Sequence, residues 1–249
     1  MWRWHSIAAK KAAWDQAKAA NYSKIGKIIQ IAAKWWADVS MNPALELALQ
    51  KAKYYNLPRD VIDKAIKKWS GQLKADDLHE VIYEWYGPGW AAVLVKTLTD
   101  NTNRSSSNIR IIFGKYGWNM WEPGSVSRQF KEKWVFEIDG MSEMINDKWN
   151  MVEKVNPLNY DEAELELLDM DVEDVENEDG HLIVTVDKNN FTSVRDMLKE
   201  KNYHVIDWAL RFLPENTISI TGEDEKALES LMEALDEDED VDSVYANNA

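Results

Sequence analysis

Apolar residues recur at helical spacing through the first third of this 249-residue chain and then in short alternating runs. Neither an all-helical nor an all-β architecture fits that change of period. Residues 8–20, rich in alanine and lysine, have high helix propensity. A second predicted helix, 23–34, sets Ile25, Ile28, Ile29 and Ala32 on one face and leaves Lys24, Lys27 and Lys34 outside it. Asn42-Pro43 opens a third helix, with Leu45, Leu49 and Ala52 on one side, and Pro58 opens a fourth, with Val61, Ile62, Ala65 and Ile66 inward. Helices this short gain most of their stability by packing on one another, which predicts a small bundle over 1–78.

Beyond it, Val81–Tyr83 and Ala91–Leu98 read as strands on either side of the turn Tyr86-Gly87-Pro88-Gly89. Residues 102–116 read as a helix, and Ser125–Phe130 and Val135–Ile138 as strands, while 141–158 carries no clear period. Helices are predicted at 160–169, 191–201 and 223–235. Strands are predicted at His181–Val186, Tyr203–Phe212, Ile218–Ile220 and Val241–Tyr245. The β-α-β-β-α-β order of 134–213 is that of a split βαβ unit. The expected fold class is therefore multi-domain, α and α+β. The helical bundle is followed by two ferredoxin-like α+β domains, one built from 79–133 with 214–249 and the other, 134–213, inserted in it.

The net charge of −15 argues against a polyanionic partner until its distribution is considered. Residues 1–75 hold 14 Lys/Arg against 5 Asp/Glu, and the remainder holds 15 against 39. A chain divided this way presents a cationic region on an anionic body. The bland reading is a set of solvated helix faces. The functional one is a polyanion-binding module whose acidic body discourages non-specific adhesion. Lys10, Lys11, Lys18, Lys24, Lys27, Lys51, Lys53, Arg59, Lys64, Lys67 and Lys68 recur on helices with apolar opposite faces, and are the candidate nucleic-acid contacts. Lysine is a point charge suited to phosphate oxygens rather than to bidentate base reading, so backbone or shape recognition is expected. Asp100-Asn101-Thr102-Asn103-Arg104 precedes a helix and reads first as a cap. Arg104 and Arg110 are a further candidate contact, expected on the same helical side.

Other chemistries find little support. The chain has no cysteine, which excludes disulfides, thiolate catalysis and cysteine-ligated zinc, and fits a reducing cytoplasm. His5, His79, His181 and His204 share no ligand spacing, so no metal is expected. Residues 161–180 hold 11 carboxylates and no base. A calcium loop with Gly180 at position six would put Val175 and Val186 where carboxylates are required, so the stretch reads as a solvated helix face and loop. No phosphate loop, nucleophile elbow or dinucleotide fingerprint occurs, and Ser105-Ser106-Ser107 reads as a helix cap. No enzyme activity, cofactor or small-molecule substrate is expected. No run approaches a membrane span, and Met1–Lys11 lacks the apolar core of a signal peptide.

Several motifs are specific in order and spacing. They are His5-Ser6, Asn42-Pro43, Lys51-Ala52-Lys53 with Asn56-Leu57-Pro58, Ile66-Lys67-Lys68, Tyr86-Gly87-Pro88-Gly89, Asp100 to Arg104, and Glu122-Pro123-Gly124-Ser125-Val126. Over essentially its whole length the chain resembles the YebC/PmpR family of transcriptional regulators, whose mitochondrial relatives activate translation of cytochrome oxidase subunit I. The resemblance implies a helical N-terminal domain, two α+β domains, and regulation of gene expression through DNA. A ribosome-associated translation factor binding rRNA or tRNA is the alternative, and an acidic scaffold for a basic protein, through 161–180 or 233–242, is a third.

The departures from the family are systematic. Trp35, Trp36, Trp69, Trp85, Trp90, Trp118 and Trp121 stand where the family has glycine, and Trp2, Trp4, Trp14, Trp134 and Trp149 also occupy glycine-like positions. Trp208, in a strand, reads as a genuine tryptophan. The chain has 13 Trp and 10 Gly. Restoring glycine everywhere but at Trp208 would bring it to about 9%, near the usual ~7%. The expectation is a UGA codon that means glycine in the source and was translated as tryptophan.

Overall fold

A computed structural model gives a mixed α/β fold and describes residues 18–33, 42–69, 77–116, 126–147, 150–178 and 180–248. The elements run α1 (Lys18–Ala33), α2 (Pro43–Tyr54), α3 (Arg59–Trp69), β1 (His79–Tyr86), β2 (Ala92–Thr99), α4 (Thr102–Lys115), β3 (Phe130–Asp147), β4 (Asn150–Asn156), α5 (Tyr160–Leu168), β5 (Asp174–Glu178), β6 (His181–Val186), α6 (Phe191–Glu200), β7 (Tyr203–Pro214), α7 (Glu223–Asp236) and β8 (Val241–Ala246). The described residues divide into two compact units, one from 18–131 with 213–248 and one from 132–212.

In the first unit α1 packs on α2 and α3. Ile25, Ile29, Leu45, Ala52 and Ala65 are all buried there. Asn42 caps α2, accepting from Leu45 N at 3.1 Å, and its amide donates to Ala32 O at 2.6 Å. One side chain thus starts α2 and fixes it to the end of α1. The antiparallel sheet β1-β2-β8 carries α4 and α7 on one face. Trp85, Val93, Val95, Ile109, Phe113, Leu228 and Leu231 form the core between them. α1 also approaches β2, which is buried at all but one of its residues. The chain leaves this unit through β3 and returns through β7, where Glu215 N donates to Gln129 O at 2.8 Å.

The second unit is an antiparallel sheet in the order β4-β3-β6-β5, with β7 also pairing β3. Phe136 and Trp134 of β3 stack on Phe191 of α6 at 5.5 and 4.1 Å. Its two described histidines are paired within the chain, His181 with Glu137 at 2.8 Å and His204 with Asp139 at 2.5 Å.

Several boundaries differ from expectation. The predicted break between a helix ending at 20 and one starting at 23 does not exist, because α1 runs through both; residues 8–17 lie outside the described residues. Ser127–Gln129 is a 3-10 turn rather than strand, and β3 begins at Phe130. The aperiodic 141–158 is mostly the paired arms of β3 and β4. The acidic stretch contains strand β5 as well as helix. Ile218–Ile220 forms only an isolated bridge, Ile218 with Asn248.

Candidate nucleic-acid interface

The helices place the candidate bases in two groups that behave differently. Lys51 and Lys53 lie in the last turn of α2, and Lys67 and Lys68 in the last turn of α3, where cations meet the negative end of the helix dipole. Lys53, Arg59, Lys64 and Lys67 are exposed, and Lys51 and Lys68 half-buried. Asp60 and Asp63 sit among the α3 bases and temper their field. Lys10 and Lys11 lie outside the described residues; Lys18 starts α1.

The second group faces inward. Lys24 and Lys27, three residues apart on α1, meet the acidic segment 236–240, from the end of α7 to the start of β8. Lys24 was expected on a solvated face but is only 9% exposed. Its Nζ donates to the Asp236 carbonyl and lies 3.9 Å from that residue's carboxylate. A cation here satisfies a last-turn carbonyl of α7. Lys27 Nζ donates to Glu239 O at 2.9 Å and to Asp240 Oδ1 at 2.7 Å.

Asp240 is the centre of this arrangement. It is 2% exposed. Besides Lys27, its carboxylate accepts Arg104 Nε at 3.0 Å, an Arg104 terminal nitrogen at 2.8 Å and Ser105 Oγ at 2.8 Å. Its carbonyl accepts Leu98 N at 2.7 Å. Burial pushes the Asp240 carboxyl up, but the hydrogen bonds from Lys27, Arg104 and Ser105 outweigh it, and the net shift is downward. The bonds to Asp240 and to Asp100 hold the Arg104 guanidinium above its usual range.

Arg104 reaches Asp240 because Asn101 starts α4, accepting from Arg104 N at 3.1 Å. The capping reading of 100–104 therefore holds, with Asn101 as the cap. Ser105 is not a cap; its hydroxyl donates to Asp240 and lies 3.1 Å from Asn101 O. Arg110 is exposed on α4. At 3.6 residues per turn it lies about 120° round the helix from Arg104, so the two do not share a side. Sequence reasoning missed Asp240, Ser105 and Asp236. The carboxylate run at 233–242 was noticed, but as a surface for a basic partner; the structure sets the chain's own lysines against it. Among the described residues no group of three or more His, Asp or Glu gathers in metal-binding geometry, and no helix is long and apolar enough to cross a membrane.

Comparison with known proteins bears on the whole chain. Residues 2–72 match the model of the TACO1/YebC protein N-terminal domain, and residues 78–248 that of the TACO1/YebC second and third domain. The chain belongs to the TACO1/YebC family. Relatives within it include a probable transcriptional regulatory protein of Clostridium acetobutylicum, 35% identical over 98% of this chain and 94% of its own. One of Treponema denticola is 37% identical over the same shares. The crystal structure of a conserved hypothetical protein from Aquifex aeolicus has a TM-score of 0.83 at 29% identity, covering 99% of this chain and 96% of that one. The chain therefore shares its fold with that protein over nearly the whole of both chains.

Proposed function

We propose that this TACO1/YebC protein is a cytoplasmic, nucleic-acid-binding regulator of gene expression that holds phosphate backbone through α2 and α3. The observation that carries the reading is the group of exposed bases Lys53, Arg59, Lys64 and Lys67, standing on an otherwise acidic molecule. Phosphate contacts by such bases give affinity that falls steeply with salt and carries little sequence information. The names of the relatives as transcriptional regulators support duplex DNA as the target. The preponderance of lysine over arginine favours the second reading, binding to rRNA on the ribosome, where shape suffices. No catalytic step, cofactor or small-molecule substrate belongs to this function, and the lack of cysteine fits the reducing cytoplasm.

The division into a helical bundle (1–78), an α+β domain (79–133 with 214–249) and an inserted ferredoxin-like domain (134–213) is part of the same proposal. Its support is the antiparallel pairing of β3 with β6 and of β5 with β6, the pairing of β7 with β3, and the position of α5 and α6 between strands. Co-sedimentation with ribosomes and a duplex-DNA shift, run at one moderate salt concentration, separate the two targets. Lys53→Glu, Lys64→Glu and Lys67→Glu together should lower affinity for the true target by about a thousandfold or more, about 1.5 kcal/mol per charge-assisted contact. Unchanged binding in the triple variant sinks the assignment to α2 and α3.

A further inference from the structure

Lys24, Lys27 and Arg104 are the chemical groups that grip phosphate, and all three are already gripping something. Their acceptors are the Asp240 carboxylate and the Asp236 and Glu239 carbonyls, contributed by one short acidic segment. The geometry resembles that of a bound phosphate: a buried anion receives a two-nitrogen fork from arginine, a lysine ammonium and a serine hydroxyl. We propose that segment 236–240 is an intramolecular stand-in for nucleic-acid phosphate, which keeps Lys24, Lys27 and Arg104 occupied until a polyanion displaces it.

The inference rests on the nucleic-acid reading given above and adds its regulation. With the segment in place, the bases of α2 and α3 engage phosphate first. A polyanion docked there raises the local concentration of phosphate beside α1, which packs directly on both helices. Release of residues 236–240 exchanges one set of ion pairs for another at the cost of the Leu98 N to Asp240 O hydrogen bond, while Val241 stays in the core with β8. It also removes the polar ties of α1 to Asp236–Asp240 and leaves its approach to β2 in place. The released carboxylates gather cations as the phosphates lose theirs. Closed protein therefore shows a shallower salt dependence than its full complement of bases implies.

The test uses the full chain with a short fluorescein-labelled DNA duplex and an RNA duplex of the same length, titrated over a range of salt. Asp240→Asn removes the anion from the clasp. Asp236→Asn, at a side chain 61% exposed, weakens it with little risk to folding. Both variants should bind the preferred duplex more tightly, about five- to a hundredfold for Asp240→Asn and less for Asp236→Asn, the usual span for coupled sites. The slope of log affinity against log salt should steepen by up to about 0.9 for each base released. The Leu98 amide, which donates to Asp240 O, reports the segment directly: its hydrogen exchange should accelerate when the duplex binds wild-type protein. Unchanged affinity and slope in both variants, with Leu98 still protected in the complex, would overturn the proposal and leave the segment as a brace. Failure of wild type and variants alike to bind either duplex removes the nucleic-acid reading itself, and this inference with it.

Discussion

Trp90 carries the cost of its position in its backbone. Its φ is +63°, next to Gly89 at +66°, and the residue is 64% exposed. A side chain in that region costs roughly 1–2 kcal/mol, and an exposed ring recovers little of it by burial. Trp85 differs. It is 1% exposed and stacks on Phe113 at 4.6 Å, but its indole N–H has no acceptor among the described residues. A buried indole usually finds one. The left-handed backbone of Trp90 suits glycine, whereas Trp85 fills the core between the sheet and helices α4 and α7 and glycine there would leave a cavity. Trp90→Gly should raise stability by about 1 kcal/mol, or about 2–4 °C in melting temperature, measured by thermal denaturation. Sequencing the coding DNA is the direct check: UGA at the glycine-like positions is expected, and UGG there disproves the recoding. Of those positions, Trp2, Trp4, Trp14, Trp35, Trp36, Trp118, Trp121 and Trp149 lie outside the described residues.

Helices and strands with a single buried face were legible in the order of residues. α4 shows the limits as well as the success. Its apolar Ile109 and Phe113 and the Asn101 cap were visible in the chain, because capping depends on local backbone geometry. Asn101→Ala should cost about 1 kcal/mol in denaturant unfolding. Because the cap sets the direction of the first turn, it should also loosen Arg104 from Asp240. β5 escaped notice because only Val175 of its five residues is buried, so no alternation marks it. Lys24 was misplaced for a related reason. Periodicity identifies the strongest apolar stripe of a helix, and α1 has a second buried side whose partners are carbonyls and carboxylates 212 and 213 residues away. A lysine bound for water and one bound for a carbonyl look alike in sequence.

For the molecule as a whole, charge decides how α1 is held. The Asp240 carboxyl has a lowered pKa in the folded chain, so its contribution is full above the ordinary carboxylate pKa of about 3.9 and is lost as pH falls through the lower folded value. Acidification to about pH 5 should therefore leave Leu98 amide protection intact, and loss of protection should begin only below about pH 4. Loss between about pH 5 and 7 would show that another group governs the contact.

The pairing of β2 with β8, Val93 opposite Ala246, sets a schedule for biosynthesis. Contacts so far apart in sequence form late. The inserted unit has all its residues by 212 and can fold while β2 still lacks one neighbour. Asp240 lies 213 residues after Lys27, so α1 leaves the ribosome with Lys24 and Lys27 uncovered until the turn before β8 has been made and released. A nascent chain of this protein is thus more cationic at its leading end, and freer to touch RNA, than the finished molecule.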